Sequence, residues 1–551
     1  MDTRRLILLL VFSFSLLMLW EAWQQEHHPQ PAPQSPQTTE QGAQSGDVPN
    51  PSQPPSAIAV PQVAAAAEAT PQEPIRVRTD FVEAEIDPNG GSIVRLVMLG
   101  YAAGGDEATP MVLLGSEHHY AAQSGLIGPQ LPTHRTLYHA AAKEFVLPDG
   151  QDQLQVRLEA ADGEGIRVAK ILTFHRSSYL IDITYEIANE SANTLGASHA
   201  YFQLARDNES PEGDPMMART YTGPAVYTEQ DKYVKVSFSD IDNGKVKYTR
   251  NAEDGWVAMV QHYFVSALLP QSGTPHENYT RALGQGMYSA GVIVPVAAVA
   301  PGETVRVTVP LYSGPQRQDH LRAVAPGLDV VVDYGWLTII AEPLFSVLKW
   351  FHGWLGNWGL AIIALTVVIK LVFFPLSAAS YKSMAKMRVV APRLAKMKEQ
   401  YGSDRTKMNQ AMMELYKTEK INPLGGCLPV VVQIPVFIAL YWVLLGSVEL
   451  RNAPFYGWIH DLSEQDPYFI LPALMMVSML IQTKLSPTPP DPVQAKVMMA
   501  MPLVFGVMFF FFPAGLVLYW LVNNILSIAQ QWQITRMVEG AQSKTAASAK
   551  R

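Results

Sequence analysis

Residues 76–315 alternate between apolar and polar positions in short runs. The segments Val82-Glu-Ala-Glu-Ile86 and Val305-Arg-Val-Thr-Val309 show this pattern, and turn sequences such as Pro88-Asn-Gly-Gly91 separate successive runs. A period of two places successive side chains on opposite faces of a β-strand. Many such strands at short intervals predict an antiparallel β-sandwich, to which we assign residues 76–330.

The other long apolar runs are typical of membrane-spanning helices. Residues 1–23 carry Arg4 and Arg5 before the apolar stretch Leu6–Trp20 and lack a small-residue cleavage site, which predicts an uncleaved N-terminal anchor. The Pro/Gln/Ala-rich residues 24–75 predict a disordered linker, because they cannot bury enough apolar area to fold. Five further runs predict transmembrane helices at 357–374, 428–447, 468–483, 497–512 and 514–533.

Two of these predicted spans are short. Residues 468–483 and 497–512 have sixteen residues each, which corresponds to roughly 24 Å of helix. The hydrocarbon core of a bilayer is about 30 Å thick. Short spans favour local thinning of the bilayer.

Two segments beside the apolar runs predict amphipathic helices. Residues 335–354 are rich in aromatic residues but are interrupted by Glu342 and Pro343, which favours a helix lying in the membrane interface. Residues 377–426 predict a helical hairpin, in which Ser403 or Asp404 can cap the second helix.

Each helix of the predicted hairpin carries a methionine-rich stripe. Methionine adapts to varied apolar partners, so the stripes are candidate contacts for hydrophobic clients, although packing within the hairpin explains part of the pattern. The methionines concerned are Met384, Met387, Met408 and Met412. The basic outer face of the hairpin also favours contact with anionic lipid.

The distribution of charge orients the predicted spans. Residues 377–426 contain ten Lys and Arg residues, whereas residues 449–467 contain only Arg451. The positive-inside rule then places the hairpin and both termini in the cytoplasm, with 534–551 as a basic cytoplasmic tail. The β-domain lies on the outer side, which is the periplasm in a bacterium with two membranes.

Composition excludes several classes of function. The single cysteine, Cys427, rules out an intramolecular disulfide bond and a cysteine metal site. We find no basic nucleic-acid-binding domain, phosphate-binding loop, nucleophile triad or metal-ligand cluster, so we expect no metal, no cofactor and no hydrolytic chemistry. His118, His119 and His262 lack catalytic spacing, and we interpret them as packed or surface residues.

Lys370 is the main candidate for chemistry because it lies within the apolar run 360–374. A cation at membrane depth costs at least about 2.5–3.5 kcal/mol, and persists where it faces a bundle interior or water. No acidic residue within that run neutralises it, which predicts a polar cavity between helices. Thr366 shares its helical face, and the other intramembrane polar residues are Gln433, Asn523, Asn524, Ser527 and Gln530. Hydrogen bonds between helices are the alternative explanation for Gln433 and Asn524.

Several motifs together resemble the YidC/Oxa/Alb family of bacterial membrane protein insertases. They include Asn422-Pro-Leu-Gly-Gly-Cys-Leu-Pro429, Gln433-Ile-Pro435, Trp458-Ile-His-Asp-Leu462 and Phe512-Pro-Ala-Gly-Leu-Val-Leu-Tyr-Trp520. Residues 255–264 resemble the large periplasmic domain of the same family. The resemblance covers nearly the whole chain outside the predicted linker.

The resemblance implies a hydrophilic groove that is open to the cytoplasm and lipid and closed to the periplasm. Lys370 falls at the position of the groove cation, where many members carry Arg, and Lys keeps the charge but loses the bidentate guanidinium. Trp520 replaces a tyrosine known in relatives. The groove residues implied or predicted are Lys370, Thr366, Gln433, Phe437, Tyr519, Trp520 and Asn523.

The expected architecture is therefore a multi-domain membrane protein of the bacterial inner membrane. It comprises an N-terminal anchor helix, a mutarotase-like periplasmic β-supersandwich, a five-helix transmembrane insertase core and a cytoplasmic helical hairpin. The implied partners are nascent integral membrane proteins, the Sec translocon and, less strongly, the ribosome and targeting factors.

Three functions remain open at this point. The first is an insertase and chaperone that acts alone or beside the Sec translocon. The second is a small-anion transporter that uses Lys370, although we find no internal repeats of the kind that transporters show. The third is a membrane-anchored carbohydrate-binding or mutarotase-like enzyme, for which residues 76–315 would be essential.

Overall fold

The computed structural model describes residues 48–51, 72–102, 109–161, 163, 165–209, 220–401, 404–419, 428–486 and 492–548. A β-rich region is followed by a helical region. The predicted anchor at 1–23, most of the predicted linker at 24–75, Ser403 and Cys427 lie outside the described residues.

Nineteen strands are present within the described residues, and they form two sheets. The strands are β1 Ile75–Arg78, β2 Val82–Asp87, β3 Ser92–Ala102, β4 Pro110–Leu114, β5 Ala121–Ile127, β6 Tyr138–Ala140, β7 Glu144–Val146, β8 Gln153–Ala160, β9 Ile166–His175, β10 Leu180–Asn189, β11 Ser198–Asp207, β12 Gly223–Thr228, β13 Lys232–Lys235, β14 Asn251–Ala252, β15 Trp256–Gln261, β16 Phe264–Leu268, β17 His276–Gly284, β18 Met287–Val296 and β19 Thr304–Pro315. The ten-stranded sheet has the order β14-β17-β18-β11-β5-β3-β2-β1-β7, with β4 paired to β3. The nine-stranded sheet has the order β13-β12-β15-β16-β19-β10-β9-β8-β6.

The alternation seen in the sequence corresponds to alternating burial in the strands. In β2 and β10, a buried residue alternates with a partly exposed one along the whole strand. The inward side chains of the two sheets form one core, which includes the fully buried Trp256, Tyr185 and Phe202. A large β-sheet domain is thus present, in agreement with the prediction from periodicity.

One strand pair departs from the predicted antiparallel pattern. β1 pairs with β7 in parallel, with Arg76, Val77 and Arg78 opposite Glu144, Phe145 and Val146. A tight hairpin forces neighbouring strands to be antiparallel, but β7 reaches β1 after a long excursion of the chain, so no turn fixes its direction. The pair is only three residues long and lies at the edge of the sheet.

Lys170 makes the stability of the β-domain dependent on pH. The side chain of Lys170 is buried. Its Nζ donates a hydrogen bond to Gly90 O at 3.1 Å and lies 5.8 Å from the ring centroid of Tyr185. Burial lowers the pKa of Lys170 from its ordinary value of 10.5 to about 7. Between these two values the unfolded chain binds more protons than the folded one, so stability rises with pH.

We therefore expect the β-domain to become more stable between about pH 7 and pH 10, by at most about 1.4 kcal/mol per pH unit from this group. Denaturant unfolding followed by circular dichroism at several pH values measures the effect. Lys170→Met removes the titrating group and should flatten the profile. A slope that is unchanged in Lys170→Met would contradict this assignment.

Ten α-helices lie within the described residues. They are α1 Phe238–Asp242, α2 Gln318–Val324, α3 Thr338–Leu355, α4 Trp358–Val372, α5 Phe374–Tyr401, α6 Arg405–Thr418, α7 Leu428–Gly446, α8 Ile470–Leu485, α9 Pro492–Met508 and α10 Ala514–Ser548. In the helical region, α10 packs against α4, α5, α7 and α8. The buried apolar residues continue without interruption from the β-domain into these helices.

By length and apolar character, no one helix of the described residues is by itself sufficient to cross a membrane. Trp358–Val372 and Phe374–Val390 meet the criterion as a pair, with a bend of 67° between them. Three apolar helices are shorter, at Val432–Gly446, Ile470–Leu485 and Lys496–Phe511. The five predicted spans stay predictions.

Several helices have bounds that differ from those we predicted, among them α9, which runs from Pro492 to Met508 instead of 497–512. α5 begins at Phe374, so a sharp bend takes the place of the expected loop before the hairpin. α10 is continuous to Ser548 and includes most of the segment assigned to a basic tail. Residues 534–548 contain eight good helix formers and no proline, so the helix continues past Gly540. α3 begins at Thr338 and follows a short 3₁₀ turn.

α3 is amphipathic, with one face packed against α4 and α7. Ala341, Phe345 and Leu348 are buried on that face. Large apolar side chains elsewhere on the helix are exposed, with exposed fractions of 86% for Ile339 and 78% for Trp354. Such exposed aromatic and aliphatic groups are typical of a helix that lies in a membrane interface.

Candidate functional site

A polar network joins α4 and α10 at Lys370. Lys370 Nζ donates a hydrogen bond to Ser527 Oγ at 2.7 Å, and Ser527 Oγ donates to Asn523 O at 2.7 Å. Lys370 is half-buried and forms no ion pair with any described residue. Its charge is therefore partnered by a neutral hydroxyl, which leaves two of its three N–H donors for water or an anionic group.

Gln433 extends this network to α7. Its Nε2 donates to Asn523 Oδ1 at 3.0 Å, so Asn523 connects the helix that carries Gln433 with the one that carries Ser527. Lys370, Gln433 and Asn523 are thus joined in one hydrogen-bonded network through Asn523 and Ser527, and the predicted cavity stays a prediction. Ser527 was recognised in the sequence as polar, but its direct contact with Lys370 could not be derived, because the helix rotation that creates it is not encoded in the spacing.

Thr366 is placed differently from the other candidates. It lies one helical turn before Lys370, but it is fully buried and its Oγ1 donates to Ile362 O at 2.7 Å. A threonine hydroxyl that bonds back to its own helix is satisfied locally. In this conformation the Thr366 hydroxyl bonds within its own helix and not to Lys370, Gln433 or Asn523.

An aromatic cluster lies one turn away from the polar network. The ring centroids of Phe437 and Trp520 are 4.0 Å apart, and those of Phe437 and Tyr519 are 6.1 Å apart. Phe509 adds a contact with Trp520 at 5.2 Å. Tyr519 is buried, and the Trp520 indole N–H is buried without a hydrogen-bond partner among the described residues.

The spacing of these residues places the polar network and the aromatic cluster next to each other along α7 and α10. Phe437 is four residues after Gln433 on α7, and Trp520 is three residues before Asn523 on α10. Residues three or four apart share a helical face and are about one turn apart. Polar groups are therefore followed, one turn away, by an aromatic surface formed from the same two helices.

The predicted hairpin is present as α5 and α6, which pack against each other. Asp404 caps α6 by accepting hydrogen bonds from Thr406 N and Lys407 N, each at 3.1 Å. Arg393 on α5 forms an ion pair with Glu419 at 2.6 Å. The four candidate methionines, Met384, Met387, Met408 and Met412, are all half-buried.

The opposite end of the helical region is covered by the segment between α7 and α8. Asp466 is buried and accepts hydrogen bonds from Trp458 Nε1 at 2.9 Å and Leu471 N at 2.7 Å. The Phe455 ring occupies the space beside Gly359, where an added Cβ would lie 2.0 Å from a ring carbon. This segment thereby fixes the start of α4, the helix that carries Lys370.

The β-domain is docked on this end through Arg451. Its Nη2 donates to Ala102 O at 2.9 Å, and its guanidinium carbon lies 5.5 Å from the Tyr263 ring centroid and 5.8 Å from that of Phe264. Sequence reasoning used Arg451 only for orientation. Its isolation as the single cation of residues 449–467 was a signal that it has a specific partner.

His262 contributes to the same interface. Its Nε2 lies 3.0 Å from Leu445 O, the carbonyl near the end of α7. Burial lowers the pKa of His262 to about 4, so the ring is neutral at physiological pH and its Nε2–H can donate to that carbonyl. His262 is thus a packed residue that bonds across the domain interface.

The described residues bring one group of possible metal ligands together, His118, Asp207 and Glu209, whose ligand atoms lie within 4.8 Å of one another. Arg206 Nη2 lies 3.7 Å from Asp207 Oδ1 and already supplies positive charge there. A guanidinium at this position opposes the binding of a cation. We therefore assign no metal to this group.

Family models match most of the chain. The model of the YidC periplasmic domain matches residues 74–347, and that of the 60Kd inner membrane protein matches residues 350–542. The boundary between the two matches falls within α3, which connects the β-domain to the helical region.

Curated relatives match over the full length. A protein of Aromatoleum aromaticum is 58% identical over 549 residues, which cover 98% of this chain and 99% of the relative. A protein of Dechloromonas aromatica is 56% identical over 552 residues, which cover 100% of both. Both relatives are named membrane protein insertase YidC.

Two solved structures are similar to the chain at low sequence identity. A crystal structure described as an active YidC insertase with its first transmembrane domain resolved is 18% identical, with a TM-score of 0.40, and covers 84% of this chain and 92% of its own. A galactose mutarotase related enzyme from Lactobacillus acidophilus is 9% identical, with a TM-score of 0.28, and covers 44% of this chain and 97% of its own.

Proposed function

Because the chain belongs to the family of YidC membrane protein insertases of the bacterial inner membrane, we propose that it inserts its substrates through the site around Lys370. The observation that carries this proposal is a half-buried cation among apolar helices whose described partner is the neutral hydroxyl of Ser527. A substrate carboxylate that enters the site completes the charge pair that the protein leaves incomplete.

The two groups of the site act on different parts of a substrate. Lys370, Gln433 and Asn523 receive the short hydrophilic segment that must cross the membrane, and their polar atoms replace part of its hydration. The aromatic surface of Phe437 and Trp520 lies against the apolar helix of the substrate and lets it move into lipid. Burial of that helix supplies the driving force, at about 25 cal/mol per Å² of apolar surface, so no nucleotide hydrolysis is needed.

We further propose the topology predicted from charge. The hairpin of α5 and α6 and both termini lie in the cytoplasm, and the β-domain lies in the periplasm. The methionine stripes contact hydrophobic clients, and the cations of the hairpin contact anionic lipid. In this arrangement the protein also acts as a chaperone for its substrates, alone or beside the Sec translocon, with the ribosome and targeting factors reaching the cytoplasmic face.

The proposal is tested by insertion into liposomes that contain only the purified protein. A small single-span substrate with acidic residues in its extracytoplasmic segment is added, and protease protection measures insertion. Protection above that of empty liposomes is the expected result. No protection, combined with flux of small anions that depends on Lys370, would instead establish the transporter.

Deletion of the β-domain separates the insertase from a membrane-anchored enzyme. We expect a protein lacking residues 76–315 to retain most of the insertion activity, because the Lys370 network and the aromatic cluster belong entirely to the helices. The deletion must end before Leu321, which is buried together with Leu328 and Val331 in the core that continues into the helical region. Protease protection measured against the full-length protein tests this expectation, and complete loss in a deletion protein with normal helix content would refute it.

A further inference from the structure

A short piece of the predicted linker lies against the β-domain. The residues Val48-Pro49-Asn50-Pro51 contact the ten-stranded sheet, although β1 begins only at Ile75. Val48 packs against Tyr201, Tyr279 and Ile293, which form a small apolar cluster separate from the main core. Phe202, the neighbour of Tyr201, is buried in the main core, so Val48 occupies the opposite face of the sheet.

A half-buried arginine holds the backbone of this segment. Arg281 Nη1 donates to the Val48 carbonyl at 3.2 Å. Arg281 Nε and Nη2 are also buried, and neither has a hydrogen-bond partner among the described residues. A guanidinium with unsatisfied buried donors is costly unless a ligand completes its hydrogen bonds. The sheet face therefore offers hydrogen-bond donors in addition to the one that binds the Val48 carbonyl.

The site extends past Pro51 as a cleft of about 430 Å³. Its lining includes His199, His276 and Ile293 from three strands of the same sheet, and Pro51 forms part of its wall. Pro49 is buried, whereas Asn50 is exposed. Val48, Pro49 and Pro51 thus lie against the β-domain, and only Asn50 is directed to solvent.

The sequence of the segment suits this mode of binding. Proline fixes its own φ near −65°, and it also confines the preceding residue to extended conformations. Two prolines separated by one residue, Pro49 and Pro51, therefore hold the segment extended before it binds, so little conformational entropy is lost. Recognition of such segments by aromatic side chains is a recurrent mode of peptide binding.

We propose that this face of the β-domain is a binding site for extended Val-Pro-x-Pro peptides and that residues 48–51 are its intramolecular ligand. Bound there, the segment acts as a latch that shortens the chain between the predicted anchor and its first contact with the β-domain from residues 24–75 to residues 24–47. The site is available to a peptide of another chain only when the latch is released, because an intramolecular ligand competes at a high effective concentration.

Peptide binding in trans tests the site. The probe is a fluorescein-labelled peptide, Asp-Val-Pro-Asn-Pro-Ser, and the proteins are the purified full-length chain and its triple variant Val48→Gly, Pro49→Gly, Pro51→Gly. Fluorescence anisotropy should show saturable binding to the triple variant and at least tenfold weaker binding to the unchanged protein. Adding Arg281→Met to the triple variant should abolish binding while the thermal midpoint stays unchanged. Equal binding of a scrambled peptide, or no binding to the triple variant, would overturn the proposal.

Cysteine labelling tests the latch in cis. In a Cys427→Ser background, Val48→Cys should react with a water-soluble maleimide at least tenfold more slowly than Ser45→Cys, a control in the same linker. Tyr279→Ala, which removes part of the apolar cluster, should raise the Val48→Cys rate and leave the Ser45→Cys rate unchanged. Equal rates at the two positions in the otherwise unchanged protein would show that the segment does not stay bound. Neither assay depends on insertion, so each outcome is independent of the function proposed for Lys370.

Discussion

Lys370→Glu should reduce insertion of a substrate with an acidic extracytoplasmic segment by at least tenfold, whereas Lys370→Arg should retain most of it. Glutamate converts attraction into repulsion, and a pair of unit charges 4 Å apart is worth about 4 kcal/mol at an effective dielectric constant of 20. A change of about 1.4 kcal/mol in the barrier already gives a factor of ten. Arginine keeps the positive charge at the same place.

Two controls make this prediction specific to charge. Ser527→Ala removes the described partner of Lys370 but leaves the cation, so its effect should be much smaller than that of Lys370→Glu. A substrate with lysines in place of its acidic residues should be inserted better by Lys370→Glu than by the unchanged protein. Protease protection in liposomes measures insertion of each of the two substrates by the unchanged protein and by Lys370→Glu, and insertion of the acidic substrate by Ser527→Ala. If the Glu and Arg variants were equally active, electrostatic attraction would have to be removed from the mechanism.

Gly359→Ala should destabilise the helical region by about 2–3 kcal/mol, although alanine is the better helix former. The added Cβ would lie 2.0 Å from a ring carbon of Phe455, so either the ring or the start of α4 must move. α4 also carries Lys370, and a shift of its first turn changes the position of the cation relative to Ser527. Insertion should therefore decrease together with stability.

A double-mutant cycle with Phe455→Ala provides the control. In the Phe455→Ala background the ring is absent, so Gly359→Ala should cost nothing or should stabilise the protein by up to about 1 kcal/mol through helix propensity. Thermal unfolding followed at 222 nm reports on the helices, and each midpoint is compared with that of its own parent. Additive effects of the two substitutions would show that the Gly359–Phe455 contact is not what limits residue size at position 359.

Local patterns predicted the elements of this protein well. The period of two in β2 and β10 marks the residues that are buried, because alternation directly encodes the two faces of a strand. The interruption of an apolar run by Lys370 located the polar network, because the cost of an isolated cation is a local property. Asp404 was one of the two caps predicted for the second helix of the hairpin, with Ser403 as the alternative, and it caps α6.

Contacts between segments that are distant in sequence could not be predicted from such local patterns. The parallel pairing of β1 with β7, the docking of Arg451 on Ala102 and the bond from Lys370 to Ser527 all join segments distant in sequence. Each depends on how helices rotate and how domains meet, which periodicity does not specify. The binding of residues 48–51 to the sheet was missed for a related reason, because composition describes the linker as a whole and not one short motif within it.

The junction between α4 and α5 has a mechanical consequence. Only Phe373 separates the two helices, which meet at a bend of 67°, and Lys370 lies one turn before it. The 28 residues of α5 form an arm of roughly 42 Å. A rotation of α5 about this elbow moves its far tip by several ångströms while Lys370 moves by tenths of an ångström. We therefore expect a displacement at the tip of the hairpin to reach Lys370 at a much smaller amplitude, reduced further by any bending at Pro392 within α5.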